Sequence, residues 1–419
     1  MIKFFLGSVP FGCDNIGDEA ILEAIIQILR RNFPKSQICV ATAKPEETAK
    51  LFNCKAVGLL GFGNLDSNPA ETIKAIKDSD VYIWAGATGL SDYPKAGLVG
   101  LKIAQKAGLK TIVWNVGMDN EFNPAFFKLR GKKALLCNTV SNLALKKIDA
   151  KLIAERVMAH NMGKTLTNVL QKCDMLVLRD TLSLKRLRQY ASLPNAIVGV
   201  DSATILTSHN DEDLNCFSDE EKSAILSDCE KIGACISSQR PLSDLDGFAE
   251  TLDSLLDGNN RKIFFIPMNP KTDYALMSDI RQKLKYKDRA YLLRGISNWK
   301  NVVAVARHCD AVISSRLHLL ILSANVGTPI VGISRGSKIS NFLMKFAANP
   351  AGSVENCNFE KLKRYTEYAL ANKKRFLEKR DEVYGIFSDR MAYAEHYLRD
   401  VVAGVDSNLN IVKKSSIGM

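Results

Sequence analysis

Residues 310–346 read DAVISSRLHLLILSANVGTPIVGISRGSKISNFLMKF and predict a strand, a helix and a second strand in that order. The apolar run 310–314 indicates a buried strand, and a helix is expected to begin around Leu317. The next apolar run, 329–334, follows a glycine and a proline and predicts another strand. A strand–helix–strand unit of this kind is typical of a parallel sheet that is covered by helices.

The same alternation of short apolar runs and helical patterns extends along most of the chain. The other predicted strands are 2–8, 37–43, 80–86, 110–117, 174–179, 196–200, 232–238, 262–268 and 290–294. Between the two halves, residues 208–221 are polar and acidic and show no sustained apolar period. We therefore predict an α/β protein with two Rossmann-like domains that face each other, over residues 1–205 and 206–375. A C-terminal helix and tail are expected over 376–419. Ligands of such sheets bind beyond the carboxyl ends of the strands, so the crevice between the domains is the expected site.

The composition is that of an ordinary globular protein, with 419 residues, 46% apolar and 24% charged. No apolar run approaches the roughly 18–20 residues that a membrane-spanning helix needs. The ten cysteines are scattered singly and have no zinc-ligand spacing with the five histidines. We expect free thiols in a reducing compartment, and hence a cytoplasmic protein. Nothing in the sequence calls for a metal or a cofactor.

The net charge of +12 is substantial, although the 57 basic residues are interleaved with 45 acidic ones. No nucleic-acid-binding signature is present, so we expect no nucleic-acid partner. An anionic substrate fits the charge, and so does peripheral contact with an anionic membrane surface that holds a lipid-linked substrate. A solvated basic surface without a partner remains an alternative.

Cationic residues follow the last two predicted strands. Arg316 and His318 fall at a helix start, where unpaired N–H groups and the helix dipole already favour anions. Arginine adds a planar fork that suits carboxylate or phosphate, and histidine adds a proton that can move near neutral pH. The next loop supplies Arg335 and Lys338 near a second helix start. Two adjacent helix starts with cations predict a site for a doubly charged anion.

Serine residues are candidates to cap both of these helices, with Ser314 or Ser315 at the first and Ser337 at the second. A purely structural interpretation is also open, in which Arg316 is a surface cation and His318 packs under its loop. Four cationic or titratable groups on two successive strand-end loops favour the anion site over that interpretation.

Two other loops contain charged residues after strands. The glycine spacing of residues 7–19 matches neither a dinucleotide-binding loop nor a P-loop. Asp18 and Glu19 open the following helix, so Asp18 is either its cap or an acid that acts on a hydroxyl acceptor. Arg179 ends the strand 174–179 and is expected to point into the crevice, with a salt bridge to Asp180 as the alternative.

Three motifs carry a resemblance to a known family. They are N-x-G-D-E-A-I-L from Asn15, R-D-x-x-S from Arg179 and S-R-L-H-x-x-I-x-x-A-N-x-G-T-P-I-V-G-I-S-x-x-x-K from Ser315. Over about residues 3–345, the chain resembles the polysaccharide pyruvyl transferase family. The resemblance implies two Rossmann-like domains in a GT-B-like arrangement and phosphoenolpyruvate as donor. It also implies a pair of saccharide hydroxyls as acceptor, giving a pyruvate ketal in exopolysaccharide or cell-wall glycan biosynthesis. The acceptor can be attached to a lipid carrier at the inner membrane.

The resemblance assigns site residues by motif. The residues that look like phosphoenolpyruvate ligands are Arg179, Arg316, His318 and Lys338. Arg335 inherits no role from the family and stays a substrate-binding candidate on the strength of its loop alone. Phosphoenolpyruvate is a co-substrate, so the resemblance implies no cofactor.

The catalytic hypothesis takes His318 as the acid that protonates the donor and Asp18 as the base. Asn15, which opens the first motif, is a further substrate-binding candidate. The sequence departs from the family at two places. A glycine-rich run is replaced by AGATG over residues 85–89, and the expected Asp-Pro-Ala segment is Asp-Ser-Ala over residues 201–203.

Two alternatives of different classes remain open. A GT-B-type nucleotide-sugar glycosyltransferase would use the same cations on a diphosphate. A non-catalytic protein of the same fold would bind anions or membranes without releasing phosphate. The expected location is cytoplasmic in each case, with contact to the inner membrane as a further expectation.

Overall fold

The computed structural model describes residues 1–143 and 148–404. Its strands are β1 (Lys3–Phe11), β2 (Gln37–Thr42), β3 (Lys55–Val57), β4 (Val81–Ala85), β5 (Lys110–Val116), β6 (Met175–Leu178), β7 (Ala196–Val198), β8 (Glu230–Cys235), β9 (Arg261–Phe265), β10 (Ala290–Leu292), β11 (Ala311–Ser314) and β12 (Ile330–Gly332). Short 3₁₀ turns lie at Gly63–Leu65, Ser202–Ile205, Asp211–Leu214 and Lys287–Arg289.

The α-helices alternate with these strands. They are α1 (Ile16–Asn32), α2 (Pro45–Phe52), α3 (Pro69–Lys77), α4 (Gly89–Asp92), α5 (Pro94–Lys106), α6 (Pro124–Phe127), α7 (Gly131–Leu143), α8 (Ala150–Leu170), α9 (Thr181–Leu187), α10 (Asp219–Leu226), α11 (Leu245–Leu256), α12 (Pro270–Lys283), α13 (Trp299–Arg307), α14 (Leu317–Asn325), α15 (Ser337–Lys345), α16 (Phe359–Ala371) and α17 (Lys373–Ala403). Among the residues described, no helix is both long and apolar enough to cross a bilayer.

The strands form two parallel sheets. The first has the order β3-β2-β1-β4-β5-β6-β7 and the second has the order β10-β9-β8-β11-β12. In each sheet the chain starts at an inner strand, adds two strands on one side of it, and then adds the remaining strands on the other side. This is the doubly wound Rossmann pattern. The prediction of two Rossmann-like domains is confirmed. The change of sheet falls between β7 and β8, and we keep 1–205 and 206–375 as the proposed domains.

The apolar runs of the sequence explain why the sheets lie inside the molecule. Every residue of β4 (VYIWA) and of β11 (AVIS) is buried, because helices cover both faces of a parallel sheet. Strand β3 was not predicted. It has three residues, KAV, at the edge of the first sheet, which is too short for a periodic signal.

Helix α17 returns from the second domain to the first. Its Glu395 accepts hydrogen bonds from Arg31 Nε at 2.9 Å and from Asn32 Nδ2 at 2.8 Å. Tyr397 donates its hydroxyl to the carbonyl oxygen of Asp174, just before β6. The predicted C-terminal helical segment is thus present, and it links the two domains. The predicted tail beyond residue 404 lies outside the described residues.

Candidate active site

One cleft collects the loops that follow the carboxyl ends of strands in both domains. It is open to solvent, and the space between its walls, including that open part, is about 530 Å³. The first domain contributes the loops after β1 and β4, and the second contributes those after β8, β9, β11 and β12. The side chains that line the cleft include Asn15, Asp18, Thr88, Asp92, Tyr93, Gln239, Arg316, His318, Arg335 and Lys338.

Arg316 precedes α14 and is held by a buried carboxylate. Its Nε and Nη2 donate to the two oxygens of Asp273 at 3.0 and 2.6 Å. Asp273 is fully buried and also accepts from the backbone N–H groups of Ser238 and Asn269, each at 3.0 Å. This bidentate pair fixes the guanidinium plane, and it leaves Nη1 without a role in the pair. Asp273 was not predicted, because an acid in the first turn of a helix is common.

His318 is held between a carboxylate and the start of α1. Its Nε2 lies 3.5 Å from Asp201 Oδ2. Its other side packs so closely on Gly17 that a Cβ there would lie 2.1 Å from the imidazole Nδ1. Burial alone would raise the pKa of Asp201, but His318 and Arg179 outweigh it and lower that pKa. An ionised Asp201 can therefore orient the imidazole. This orienting carboxylate belongs to the segment 201–203, where Asp-Ser-Ala replaces the expected Asp-Pro-Ala.

Arg179 is buried beside Thr88 and is not among the residues that line the cleft, and it makes the contact with Asp180 that was the alternative. Its Nη1 donates to Thr88 Oγ1 at 3.4 Å. Its guanidinium lies 3.7 Å from Asp180 and 3.6 Å from Asp201. Asp201 also contacts His318, so Arg179 lies one side chain away from the cleft lining. Direct binding of substrate by Arg179 stays a prediction.

Arg335 and Lys338 face the cleft from the loop after β12 and the start of α15. Arg335 Nη1 donates to Ser237 Oγ and, at 3.4 Å, to Gln239 Oε1. No carboxylate among the described residues lies within 4.0 Å of it. Lys338 Nζ is 3.5 Å from Asp92. Burial lowers the pKa of both cations, and their repulsive cationic neighbours lower it further. A bound anion would offset this cost of desolvation.

The start of α1 differs in detail from the expectation. Asn15 caps the helix by accepting from the N–H of Gly17 at 3.3 Å, so Asp18 is not the cap. Asn15 Nδ2 also donates to Asp18 Oδ2 at 2.6 Å. Burial raises the pKa of Asp18, while the nearby His318 lowers it in part. A carboxylate with a raised pKa is a stronger base than an exposed one, which suits proton removal from a hydroxyl.

The predicted serine caps are wrong because each hydroxyl has another partner. Ser314 Oγ accepts from the N–H of Arg316 at 2.8 Å, and Ser315 Oγ accepts from the N–H of Ser237. Ser337 Oγ donates to Asp119 Oδ1 at 2.6 Å, across the domains. Neither α14 nor α15 is capped by the side chain of its own N-cap residue, and the first N–H of α15, that of Ser337, donates to Asp119 Oδ1 instead.

Ala87 lies in the segment that replaces the glycine-rich run. It has a φ of 62°, in the left-handed region that glycine adopts without strain. Its neighbour Gly86 has a φ of 83°. The backbone thus takes a glycine-like conformation in the cleft wall despite the alanine, at a cost of about 1–2 kcal/mol.

The cleft continues outward past Lys338 into a wider polar region with about 1550 Å³ of open space. We call it the outer cleft. Its lining includes Asp92, Tyr93, Asp119, Asn120, Asn123, Gln239, Arg240 and Ser340. Burial raises the pKa of Asp119, but Lys338 and Ser337 outweigh it and lower that pKa. The sequence did not single out these residues, although Asp92 and Asp119 follow the predicted strands 80–86 and 110–117.

Two Rossmann-like domains with their strand ends around one cleft define a GT-B-like protein. The chain belongs to the polysaccharide pyruvyl transferase family, whose family model matches residues 15–337. That range includes all three motifs apart from the final lysine of the third.

Solved structures share the fold at low sequence identity. Anabaena HepE in complex with UDP-glucose has 11% identity and a TM-score of 0.59, covering 97% of this chain and 100% of its own. S. aureus MnaA with UDP has 11% identity and a TM-score of 0.59, covering 96% and 98%. UDP-GlcNAc 2-epimerase from Neisseria meningitidis has 12% identity and a TM-score of 0.56, covering 95% and 99%. These likenesses concern the fold alone. Among curated proteins, none matches the chain.

Proposed function

We propose that this protein transfers the pyruvyl group of phosphoenolpyruvate to two hydroxyls of one saccharide, forming a ketal and releasing phosphate. The observation that carries the proposal is Arg335, a cleft-lining cation without a carboxylate within 4.0 Å among the described residues. It lies in the same cleft as Lys338, Arg316 and His318. Phosphoenolpyruvate carries both a carboxylate and a phosphate, so its binding calls for several cations.

The proposed reaction begins with a proton transfer from protonated His318 to the methylene carbon of phosphoenolpyruvate. That carbon becomes a methyl group, and positive charge develops on the adjacent carbon. A saccharide hydroxyl adds to the charged carbon and gives its proton to Asp18. The bond between carbon and the phosphate oxygen then breaks, and a second hydroxyl closes the ketal. The protons of the two hydroxyls account for the new methyl hydrogen and for the hydrogen phosphate product.

The other charged groups stabilise and orient the reactants in this scheme. Arg335, Lys338 and the free edge of Arg316 would stabilise the departing phosphate, and such preorganised charges supply several kcal/mol. Asp201 would keep the imidazole of His318 in position and stabilise its protonated form. The raised pKa of Asp18 makes it suited to the role of base.

We place the acceptor saccharide in the outer cleft. Carboxylates and amides such as Asp119, Asn120 and Asn123 offer the acceptors and donors that sugar hydroxyls need. The outer cleft adjoins the inner one through Asp92 and Lys338, which line both. An acceptor bound there would present its hydroxyls to a donor held at the inner end. The proposed acceptor is lipid-linked, as part of exopolysaccharide or cell-wall glycan biosynthesis.

The test is the release of phosphate from phosphoenolpyruvate in the presence of extracted lipid-linked saccharides. His318→Ala should abolish this release; because the side chain is only 15% exposed, the unfolding temperature of the variant is measured alongside to show that it still folds. Full turnover by His318→Ala would contradict the assignment. The nucleotide-sugar alternative predicts stabilisation by UDP-sugars rather than by phosphoenolpyruvate, and thermal unfolding with each ligand at saturation separates the two.

A further inference from the structure

The antiparallel pair formed by α7 and α8 has an apolar surface turned away from the protein. Its exposed large apolar side chains include Leu135, Leu136, Val140, Leu143, Ile153 and Val157. Leu143 is 80% exposed and Leu136 is 68% exposed. We call these six residues the hairpin surface. Apolar surface of this extent is rare on soluble monomers unless it binds something.

The packing of α7 explains why its leucines point outward. No residue of this helix is buried. Its half-buried positions are Ala134, Cys137 and Ser141, three and four residues apart, so they share one face. These small side chains form the face toward α8, and the large apolar ones remain outside. An isolated helix of 13 residues is marginal in water, so α7 would gain stability from a surface that covers its leucines.

The surroundings of the hairpin surface are strongly basic. Over residues 124–143 and 148–170 the sequence has seven Lys and Arg against two Asp and Glu, a net charge of +5. One of the acids, Glu155, is already paired with Lys128 at 3.2 Å. Exposed leucines bordered by lysine and arginine are typical of a helix that lies in the headgroup region of an anionic bilayer. A second copy of the chain would bring the same positive charge against this one, which disfavours a dimer through this face.

A short segment, residues 124–129, connects the outer cleft to the α7–α8 hairpin. Pro124 and Ala125 line that cleft, and Phe126, the next residue, is 58% exposed. The following segment is tied to α8 because the N–H of Leu129 donates to Glu155 Oε1 at 2.9 Å. A membrane in contact with the hairpin would therefore lie beside the outer cleft.

We propose that the α7–α8 hairpin docks the protein on an anionic lipid surface, with the outer cleft next to the headgroups. The docking follows from exposure and charge alone. Its purpose, access to a lipid-linked acceptor, rests on the proposed function.

The experiment is flotation of the full chain with vesicles of phosphatidylcholine, with and without phosphatidylglycerol. The native protein should float only with the anionic vesicles, and added salt should weaken the binding. The variant Leu135→Gln/Leu136→Gln/Leu143→Gln should bind at least about tenfold more weakly, because glutamine does not partition into the acyl boundary. The variant Lys132→Gln should bind about fivefold more weakly.

The matched control is Leu51→Gln/Leu226→Gln, which changes leucines of α2 and α10 that are 74% and 50% exposed. It should bind vesicles as the native protein does. Equal binding by the triple variant, or an equal loss in the control, would overturn the proposal. So would a native protein that ignores anionic vesicles but forms a dimer that the triple variant abolishes. Vesicle binding needs no phosphoenolpyruvate, so Arg335→Gln should still float with anionic vesicles. A protein without transfer activity could therefore still bind vesicles, and the two proposals can fail separately.

Discussion

Gly17→Ala tests whether the position of His318 matters to the chemistry. Gly17 lies in the first turn of α1, where alanine is normally favoured over glycine by up to about 1 kcal/mol. Here the new Cβ would lie 2.1 Å from the imidazole Nδ1 and 2.5 Å from its Cγ. An ordinary contact begins at 3.4 Å, so the ring has to move by about 1.3 Å. A displacement of about 1 Å can cost about a hundredfold in rate, or about 2.7 kcal/mol.

The assay is the rate of phosphate release with lipid-linked saccharides, together with the dissociation constant of phosphoenolpyruvate from calorimetry. We expect Gly17→Ala to release phosphate about a hundredfold more slowly and to bind phosphoenolpyruvate more weakly. In a protein that already carries His318→Ala, adding Gly17→Ala should cause no further loss of affinity for phosphoenolpyruvate, because no imidazole ring is left to displace. This comparison is a double-mutant cycle, and it separates a local clash from a general disturbance of the helix.

Gly385→Ala is the control for alanine in a helix. Its new Cβ would meet no atom of residues 1–143 and 148–404 within 4 Å, so the change should stabilise α17 by up to about 1 kcal/mol and leave phosphate release unchanged. Full activity in Gly17→Ala, or the same loss of affinity with and without His318, would refute the reasoning.

Three further predictions follow from particular side chains. Arg335→Gln should weaken phosphoenolpyruvate binding about ten- to a hundredfold in calorimetry, as expected for charge-assisted hydrogen bonds worth about 1.5–3 kcal/mol. The control Arg294→Gln changes an exposed arginine and should leave the affinity unchanged. Equal affinities of the two variants would show that Arg335 does not bind phosphoenolpyruvate. Burial raises the pKa of Glu19 from 4.5 to about 7, although the N–H of Gly12 donates to it. The folded state therefore holds the proton more tightly than the unfolded state, and its stability falls as pH rises from about 4.5 through 7 by up to about 3 kcal/mol. Glu19→Gln should raise the unfolding temperature above pH 7 and change it little near pH 4.5, and a difference independent of pH would contradict this account. Ala87→Gly should stabilise the fold by up to about 1 kcal/mol, since Ala87 has a φ of 62°; a lower unfolding temperature would show that this conformation carries no strain.

Most of the fold was predictable because parallel strands that are buried on both faces appear as nearly continuous apolar runs. Strands β4, β5 and β11 were found for this reason, and their order followed from the doubly wound pattern. Strand β3 was missed because three residues at a sheet edge carry no period. The caps of α14 and α15 were predicted wrongly because a serine near a helix start can bond elsewhere, and tertiary contacts decide which partner it takes.

The cations that face the cleft could be predicted because each lies in a loop that follows a strand. Arg316, His318, Arg335 and Lys338 all satisfy this rule, and the parallel sheets bring them to one edge. Arg179 satisfies it too, yet its side chain turns toward Asp180 and Asp201.

The carboxylates that position these cations could not be identified from the sequence. Asp273 has the appearance of an ordinary helix-start acid, and only the folded chain shows that it holds Arg316. Asp201 lies in a short segment without a strong motif, and its contact with His318 joins residues 117 positions apart. Pairings of this kind depend on side-chain directions that a periodic pattern does not contain.

The central claim is that phosphoenolpyruvate donates a pyruvyl group to a saccharide in this cleft. The most direct measurement is mass spectrometry of extracted lipid-linked saccharides after incubation with the protein and phosphoenolpyruvate. We predict a mass gain of one pyruvyl ketal on the saccharide, matched by an equal amount of phosphate, and neither product with Arg335→Gln/His318→Ala. A saccharide of unchanged mass, in a preparation where phosphoenolpyruvate binds, would contradict the claim.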